Sequence, residues 1–235
     1  MEKAVFVALD FDTEDELTKI LTQLGAPNET YLKIGMELFY HAGDSLVKQL
    51  VKQGYHIFLD LKLHDIPNTV YAAAKQLAQL GVFCITVHAL GGSEMISAAK
   101  KGLIAGTPEH LEIPKLLAVT ELTSISNEIL ANEQNCNLAM ADQVLSLAQT
   151  AKNAGADGVI CSPLEVEKLR KVIGDSFLYV TPGIRLANNQ AGDQKRIATP
   201  KKALKFGSSA IVVGRPITQA ANPKKIYQTI KKEFS

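Results

Sequence analysis

The sequence predicts a single-domain α/β protein, a closed (β/α)₈ TIM barrel over residues 1–235. Three observations carry that prediction. Short apolar, β-branched runs recur eight times, each followed by a longer stretch with helical spacing. The runs are nearly continuously apolar, the pattern of a parallel sheet covered on both faces. No Pro/Gly/Ser linker or charge block divides the chain, and its length suits one barrel of roughly 250 residues.

The first run, residues 4–9 (AVFVAL), is six apolar residues that stop at Asp10. It is too short for a membrane span or a signal-peptide core and reads as a buried strand. Helical spacing follows over 14–24. Strand 31–34 leads to helix 38–52, strand 56–61 to helix 69–80, and strand 83–87 to helix 95–101. Strand 115–119 precedes helix 138–153, strand 158–160 precedes 164–172, strand 177–180 precedes 200–206, and strand 209–213 precedes 223–234. An open doubly wound sheet also satisfies strands alternating with helices. The count of eight favours closure. So does the stretch Leu9-Asp10-Phe11-Asp12, which stands where a dinucleotide-binding fold places GxGxxG. Two strand-to-helix connections, 120–137 and 182–199, are long, and loops of that length in a compact domain are usually functional or disordered.

Composition narrows the function classes. The chain is 46% hydrophobic and 21% charged, ordinary for a soluble globular protein. Its 25 basic residues balance 24 acidic ones, so no nucleic-acid surface is expected and any anion site must be local. Cys84, Cys136 and Cys161 are an odd number without CxxC spacing. They read as reduced thiols of a cytoplasmic protein rather than a disulfide frame or zinc site. No HExxH or EF-hand pattern appears, so no metal is expected.

A barrel collects its chemistry where strands end. The exits carry Asp10, Lys33, Asp60 with Lys62, His88, Thr123 just beyond the fifth strand, Pro182 with Arg185, and Gly214 with Arg215. The strongest local signal is DLKLHD at 60–65. On a strand Asp60 and Lys62 point to one side and Leu61 to the other, while Asp65 lies past the strand end and can turn back toward a lysine. A surface ion-pair cluster is the bland alternative. Between two carboxylates the ammonium form of a lysine is favoured, which makes it a proton donor. A Schiff-base lysine needs the neutral amine instead. Lys62 is therefore read as a general acid. Two carboxylates beside a bound anion also create repulsion that disappears when the substrate loses its negative group, which suits decarboxylation.

The last strand ends in AIVVGRP at 210–216. Loops after strands seven and eight of such barrels commonly bind phosphate. Gly214 permits close backbone approach and Arg215 offers a bidentate fork. The chain has four arginines, Arg170, Arg185, Arg196 and Arg215, and two of them fall just after strands seven and eight. A capping turn with a surface arginine is the alternative. His41, His56 and His110 read as surface or strand-flanking residues, His64 as a loop or interface contact, and His88 as a residue that orients its neighbours by hydrogen bonds. The lysine pairs 100–101, 201–202, 224–225 and 231–232 read as solvated helix faces.

With these residues in place, the sequence resembles the orotidine 5′-phosphate decarboxylase family. The resemblance runs through ALDF (8–11), LKIG (32–35), DLKLHDIPNTV (60–70), TVHA (86–89), LTS (122–124), TPGIR (181–185) and VVGRPI (212–217), in order along essentially the whole chain. It implies a homodimeric barrel that converts orotidine 5′-phosphate to UMP without metal or organic cofactor. By the same resemblance Asp60, Lys62 and Asp65 match the catalytic array, with Asp65 and Thr69 reaching into the other subunit's site. Lys33 joins the chain of charges and Asp10 binds the ribose. Thr123 and Ser124 lie where the family contacts the pyrimidine, beside Pro182. Arg185, Gln194, Gly214 and Arg215 match phosphate-gripping positions. Glu121 departs from the pattern, standing where the family has an apolar residue, and leaves the fifth loop's conformation open.

Three competing functions are weighed. A magnesium-using sugar-phosphate lyase or decarboxylase on the same barrel would carry an acidic ligand near the second strand's end, where this chain has Lys33. An imine-forming aldolase would be trapped at Lys62 by borohydride. A non-catalytic barrel for phosphate ligands would bind UMP without releasing carbon dioxide, and the intact Asp60, Lys62 and Asp65 set argues against it.

Overall fold

Strand β1 (Ala4–Leu9) divides its side chains between two apolar compartments. Ala4, Phe6 and Ala8 join Phe58, Cys84, Leu117, Val180, Ala210 and Val212 in the barrel interior, whereas Val5, Val7 and Leu9 belong to the larger core beneath the helices. Alternate residues of one strand thus serve both cores, which is why the run is apolar throughout. The computed structural model describes residues 3–11, 13–186 and 196–235.

The remaining strands are β2 (Tyr31–Gly35), β3 (His56–Leu63), β4 (Cys84–His88), β5 (Lys115–Val119), β6 (Gly158–Ile160), β7 (Leu178–Thr181) and β8 (Ala210–Val213). All pair in parallel in chain order, and β8 closes on β1, so the barrel is complete. The helices are α1 (Glu14–Leu24), α2 (Met36–Lys52), α3 (Pro67–Ala78), α4 (Gly92–Gly106), α5 (Asn127–Asn132), α6 (Met140–Asn153), α7 (Val166–Ile173), α8 (Pro200–Phe206), α9 (Arg215–Thr218) and α10 (Pro223–Glu233). Side-chain caps from Thr13, Ser126, Thr199 and Asn222 start α1, α5, α8 and α10, and proline opens α3, α8, α9 and α10 at positions whose N–H has no helical partner.

The eight strands and the barrel are as the sequence predicts, and no strand end moves by more than two residues. Two short helices lie outside that reading: α5 within the long connection 120–137, and α9 directly after β8. Strand β3 also runs on to Leu63, with a register shift against β4 between Leu59 and Leu63. One lysine pair needs correction. Lys100 is not a solvated charge but pairs with Asp157 at 2.6 Å, and the same carboxylate oxygen accepts the Leu116 N–H at 2.7 Å, so it anchors the start of β5.

An aromatic cluster closes the barrel where the strands begin. Phe6 meets Phe58 at 5.3 Å and Tyr31 at 5.4 Å, both edge-on, and His56 stacks on Tyr31 at 4.4 Å. The polar residues therefore collect at the opposite mouth. Among the described residues no helix is long and apolar enough to cross a membrane.

Helices α3 and α4 approach so closely that a Cβ on Gly102 would stand 2.3 Å from the Tyr71 carbonyl oxygen. Alanine in an open helix interior gains roughly 0.5–1 kcal/mol over glycine, but overpacking against rigid backbone costs about 1–3 kcal/mol. Gly102→Ala is therefore expected to lower the urea midpoint at unchanged slope. A raised midpoint would contradict the close approach.

Candidate active site

The mouth of the barrel is built around charges from β1, β2 and β3. Register sets them side by side, because Ala8 pairs with Lys33 and Gly35 with Asp60 across successive strands. Lys33 Nζ donates to Asp10 Oδ1 at 3.2 Å and lies 3.7 Å from Asp60 Oδ2. Lys62 Nζ donates to that same Asp60 oxygen at 2.9 Å. The charges alternate along the row Asp10, Lys33, Asp60, Lys62. Asp60 is the buried centre. Burial acts to raise its carboxyl, but Lys33, Lys62 and hydrogen bonds from Lys62 and Thr86 outweigh that and hold it below the ordinary carboxylate value.

The sequence assigns Thr86 of β4 no role of its own, yet it fixes the array. Its hydroxyl donates to Asp60 Oδ1 at 2.9 Å and accepts the Lys62 backbone N–H at 2.9 Å. Lys62 has φ of 50°, a left-handed conformation that a non-glycine residue adopts at a cost of roughly 1–3 kcal/mol. The Thr86 hydrogen bond and the bulge in β3 hold it there. The visible signal is a threonine flanked by Ile85 and Val87 in the strand CITVH. Gly35 is a second omission: a Cβ there would come within 3.1 Å of Lys33 Nζ, so a side chain would crowd the ammonium.

A cavity of about 210 Å³ opens above this row, lined by Lys33, Asp60, Lys62, Glu121, Thr123, Ser124, Pro182 and Cys161 over a floor of Phe58, Val119 and Val212. The sequence-predicted Lys33, Asp60, Lys62, Thr123, Ser124 and Pro182 thus share one space. Gly214 borders the row from β8, with its added Cβ 3.5 Å from the Ala8 Cβ and 3.9 Å from Asp10 Oδ2. Arg185 is buried after β7, and burial, then the charge of Arg215, pull its guanidinium below the ordinary value. The two guanidiniums repel each other, and an anion between them would remove that repulsion.

Asp65 and Thr69 are exposed, away from this chain's own cavity. Asp65 accepts the Ile66 N–H at 2.6 Å, and of the two motif carboxylates Asp60 is the one that pairs with Lys62 within this chain. Gln194 lies outside the described residues. Glu121 is buried, and its carboxylate accepts from the Gln134 and Gln143 amides at 3.3 Å each, which accounts for an acidic residue at this position of the fifth loop.

His88 Nδ1 is buried without a hydrogen bond, so the expected orienting bond from that nitrogen is not made among the described residues. Burial, then His64 and Lys62, lower its basicity. His64 is exposed and its ring lies 5.4 Å from that of His88. Burial pushes the Cys161 thiol up to about 12, so it faces the cavity uncharged and is not a nucleophile at neutral pH. Among the described residues no three His, Cys, Asp or Glu side chains are grouped to hold a metal.

Known proteins match the chain closely. A family model described as "Orotidine 5′-phosphate decarboxylase / HUMPS family" matches residues 3–230. The orotidine 5′-phosphate decarboxylase of Lactobacillus acidophilus is 66% identical over 235 residues, covering 100% of both chains, and that of Enterococcus faecalis is 47% identical, covering 100% of this chain and 99% of the other. A crystal structure of the Lactobacillus acidophilus enzyme superimposes with a TM-score of 0.91 at 64% identity over 100% of both chains. The Methanocaldococcus jannaschii orotidine 5′-monophosphate decarboxylase, complexed with the inhibitor BMP, shares the fold at TM-score 0.78 and 20% identity over 100% of both chains.

The lowered Asp60 carboxyl links the site to stability. A carboxyl that is lower in the folded chain than its ordinary 3.8 contributes stability that is present above 3.8 and lost as pH falls through the folded value. As pH falls from 3.8 toward the lower folded value, melting temperature is expected to fall more steeply for the wild type than for Asp60→Asn. Parallel acid limbs would refute the shift.

Proposed function

Because the chain belongs to the orotidine 5′-phosphate decarboxylase / HUMPS family, we propose that it converts orotidine 5′-phosphate to UMP and carbon dioxide, with Lys62 as the proton donor. It is a carboxy-lyase. The observation that carries the mechanistic reading is the Lys62 ammonium 2.9 Å from the Asp60 carboxylate in the lining of the cavity, a carboxyl held below its ordinary value.

In this reading the phosphate is gripped by Arg185, Arg215 and the Gly214 backbone, with Gln194 assigned to the same group. Asp10 takes the ribose, and Thr123, Ser124 and Pro182 border the pyrimidine. Closure of the 182–199 connection over the ligand, driven by phosphate binding, is assigned the exclusion of water, and residues 187–195 of it lie outside the described residues. The substrate carboxylate lies against the negative charge of Asp60. Its bond to ring carbon 6 breaks, carbon dioxide leaves, and the electron pair stays on the carbon. The Lys62 ammonium stabilises that charge and gives it a proton, forming UMP, and the neutral amine takes a proton back from water. Every 1.4 kcal/mol removed from the barrier is worth about tenfold in rate, and a preorganised cation in a dry site is a large source of such stabilisation.

The reading includes a homodimer in which Asp65 and Thr69 of each subunit complete the other's site. Supporting this, both are exposed, and large apolar side chains stand out on the segments leaving β2, β3 and β4: Tyr40 at 74%, Ile66 at 66% and Leu90 at 45% exposure. The reaction is assigned no metal or organic cofactor. The row's carboxylates, Asp10 and Asp60, are already paired with Lys33 and Lys62, which compete with a divalent cation for them.

The direct test is loss of orotidylate ultraviolet absorbance with purified protein in EDTA. Full activity is expected with chelator, and metal-dependent activity would favour the magnesium-using relatives. Lys62→Ala is expected to abolish turnover while UMP binding and folding persist; near-native turnover would discard the proton-donor role. Mixing inactive Lys62→Ala and Asp65→Asn proteins tests the shared site. Random exchange makes about half the dimers hybrid with one intact site each, so about a quarter of wild-type activity is expected to return. No recovery despite exchange would place Asp65 in its own subunit's site.

A further inference from the structure

We propose that Arg196 is a positioning residue that braces the base-facing loop after β5 against the phosphate-facing loop after β7. The proposal rests on the functional reading above and adds a residue to it. Arg196 Nη1 donates to Glu165 Oε1, and Nη2 donates to the Leu122 carbonyl at 3.0 Å and the Glu121 carbonyl at 3.2 Å. One side chain therefore ties together the exits of β5, β6 and β7.

Each end of the brace is itself anchored. Glu165 is buried, and its other oxygen accepts the Ser162 N–H at 2.8 Å in a capping box on the turn after β6. Two residues beyond Arg196, the Ala198 carbonyl accepts the Arg185 N–H at 2.9 Å and the Ala198 N–H donates to the Gly183 carbonyl at 3.1 Å. That pairing fixes the backbone beside Pro182 and Arg185. At the far end, Leu122 directly precedes Thr123 and Ser124, which line the cavity. The Glu121 side chain is occupied by Gln134 and Gln143, so this residue offers the guanidinium its carbonyl.

The chemistry calls for arginine. A planar fork can serve a carboxylate and two carbonyls at once, whereas a lysine ammonium is a point charge on a flexible stem. The contacts are all between groups of the chain itself, so they set the distance between the Arg185 region and the Thr123 region without a ligand atom taking part. A substrate held at both ends needs that distance to be right, and a misplacement of about 1 Å remote from the chemistry can cost about 100-fold in rate.

Two variants test this. Arg196→Lys keeps the charge beside Glu165, and Arg196→Met combined with Glu165→Gln leaves no buried carboxylate without its partner. Both are assayed on orotidine 5′-phosphate and on the nucleoside lacking phosphate, and backbone amide exchange is measured over 120–126 without ligand. The expected result is a fall of about 100-fold in kcat/KM for the phosphorylated substrate, no comparable fall for the nucleoside, and faster exchange over 120–126. Equal losses on both substrates would mean a merely structural role, and unchanged exchange over 120–126 would remove the brace; either result overturns the proposal. If wild-type protein leaves orotidine 5′-phosphate intact while exchange over 120–126 still responds to the variants, the brace stands and the decarboxylase reading falls.

Discussion

Four charges in a row at an apolar rim govern the rest of this molecule. Asp60 is buried between two ammonium groups, and burial by itself raises its carboxyl. It stays ionised because Lys33, Lys62 and the Thr86 hydroxyl surround it within hydrogen-bonding or ion-pair distance. A buried pair broken on one side typically costs about 3–5 kcal/mol, since the remaining charge has no compensation. Asp60 thus depends on its neighbours, and the barrel must hold them in register to keep its charge compensated. The structure spends stability on that arrangement, most visibly in the left-handed backbone of Lys62.

The barrel suits this task because its two ends are unlike. At the strand starts, Phe6, Tyr31, Phe58 and Phe83 pack edge to face and exclude water. At the strand ends, small residues such as Ala8 and Gly35 leave room for the lysines and the cavity. Low dielectric below and fixed charges above strengthen every electrostatic interaction in between. Around the same mouth, Arg196 and Glu165 bind successive loops into one frame, so that the backbone at Arg185 and the wall carrying Thr123 are not independent.

Much of this was legible in the sequence. The alternation of β3 correctly puts Asp60 and Lys62 on one side, and the strand exits identify Lys33, Thr123, Pro182, Arg185 and Gly214. Other features were not. Thr86 looked like one more strand residue because its importance lies in a contact 24 to 26 residues away. Arg196 sat inside a connection read as loop, and its partners are 31, 74 and 75 residues distant. The left-handed conformation of Lys62 had no marker, since the residue type that signals it is glycine or asparagine.

The sequence by itself determined the class of fold, the order of its elements and the mouth at which polar residues collect. These follow from local periodicity, which each strand and helix displays alone. Tertiary structure decided which charges meet and in what order. Asp10, Lys33 and Asp60 come from three strands, and their spacing depends on parallel register across a closed sheet. It also turned Asp65 outward, with its oxygen on the Ile66 N–H. The reason is physical: periodicity is a property of neighbours along the chain, whereas a Coulomb interaction depends on distance through space.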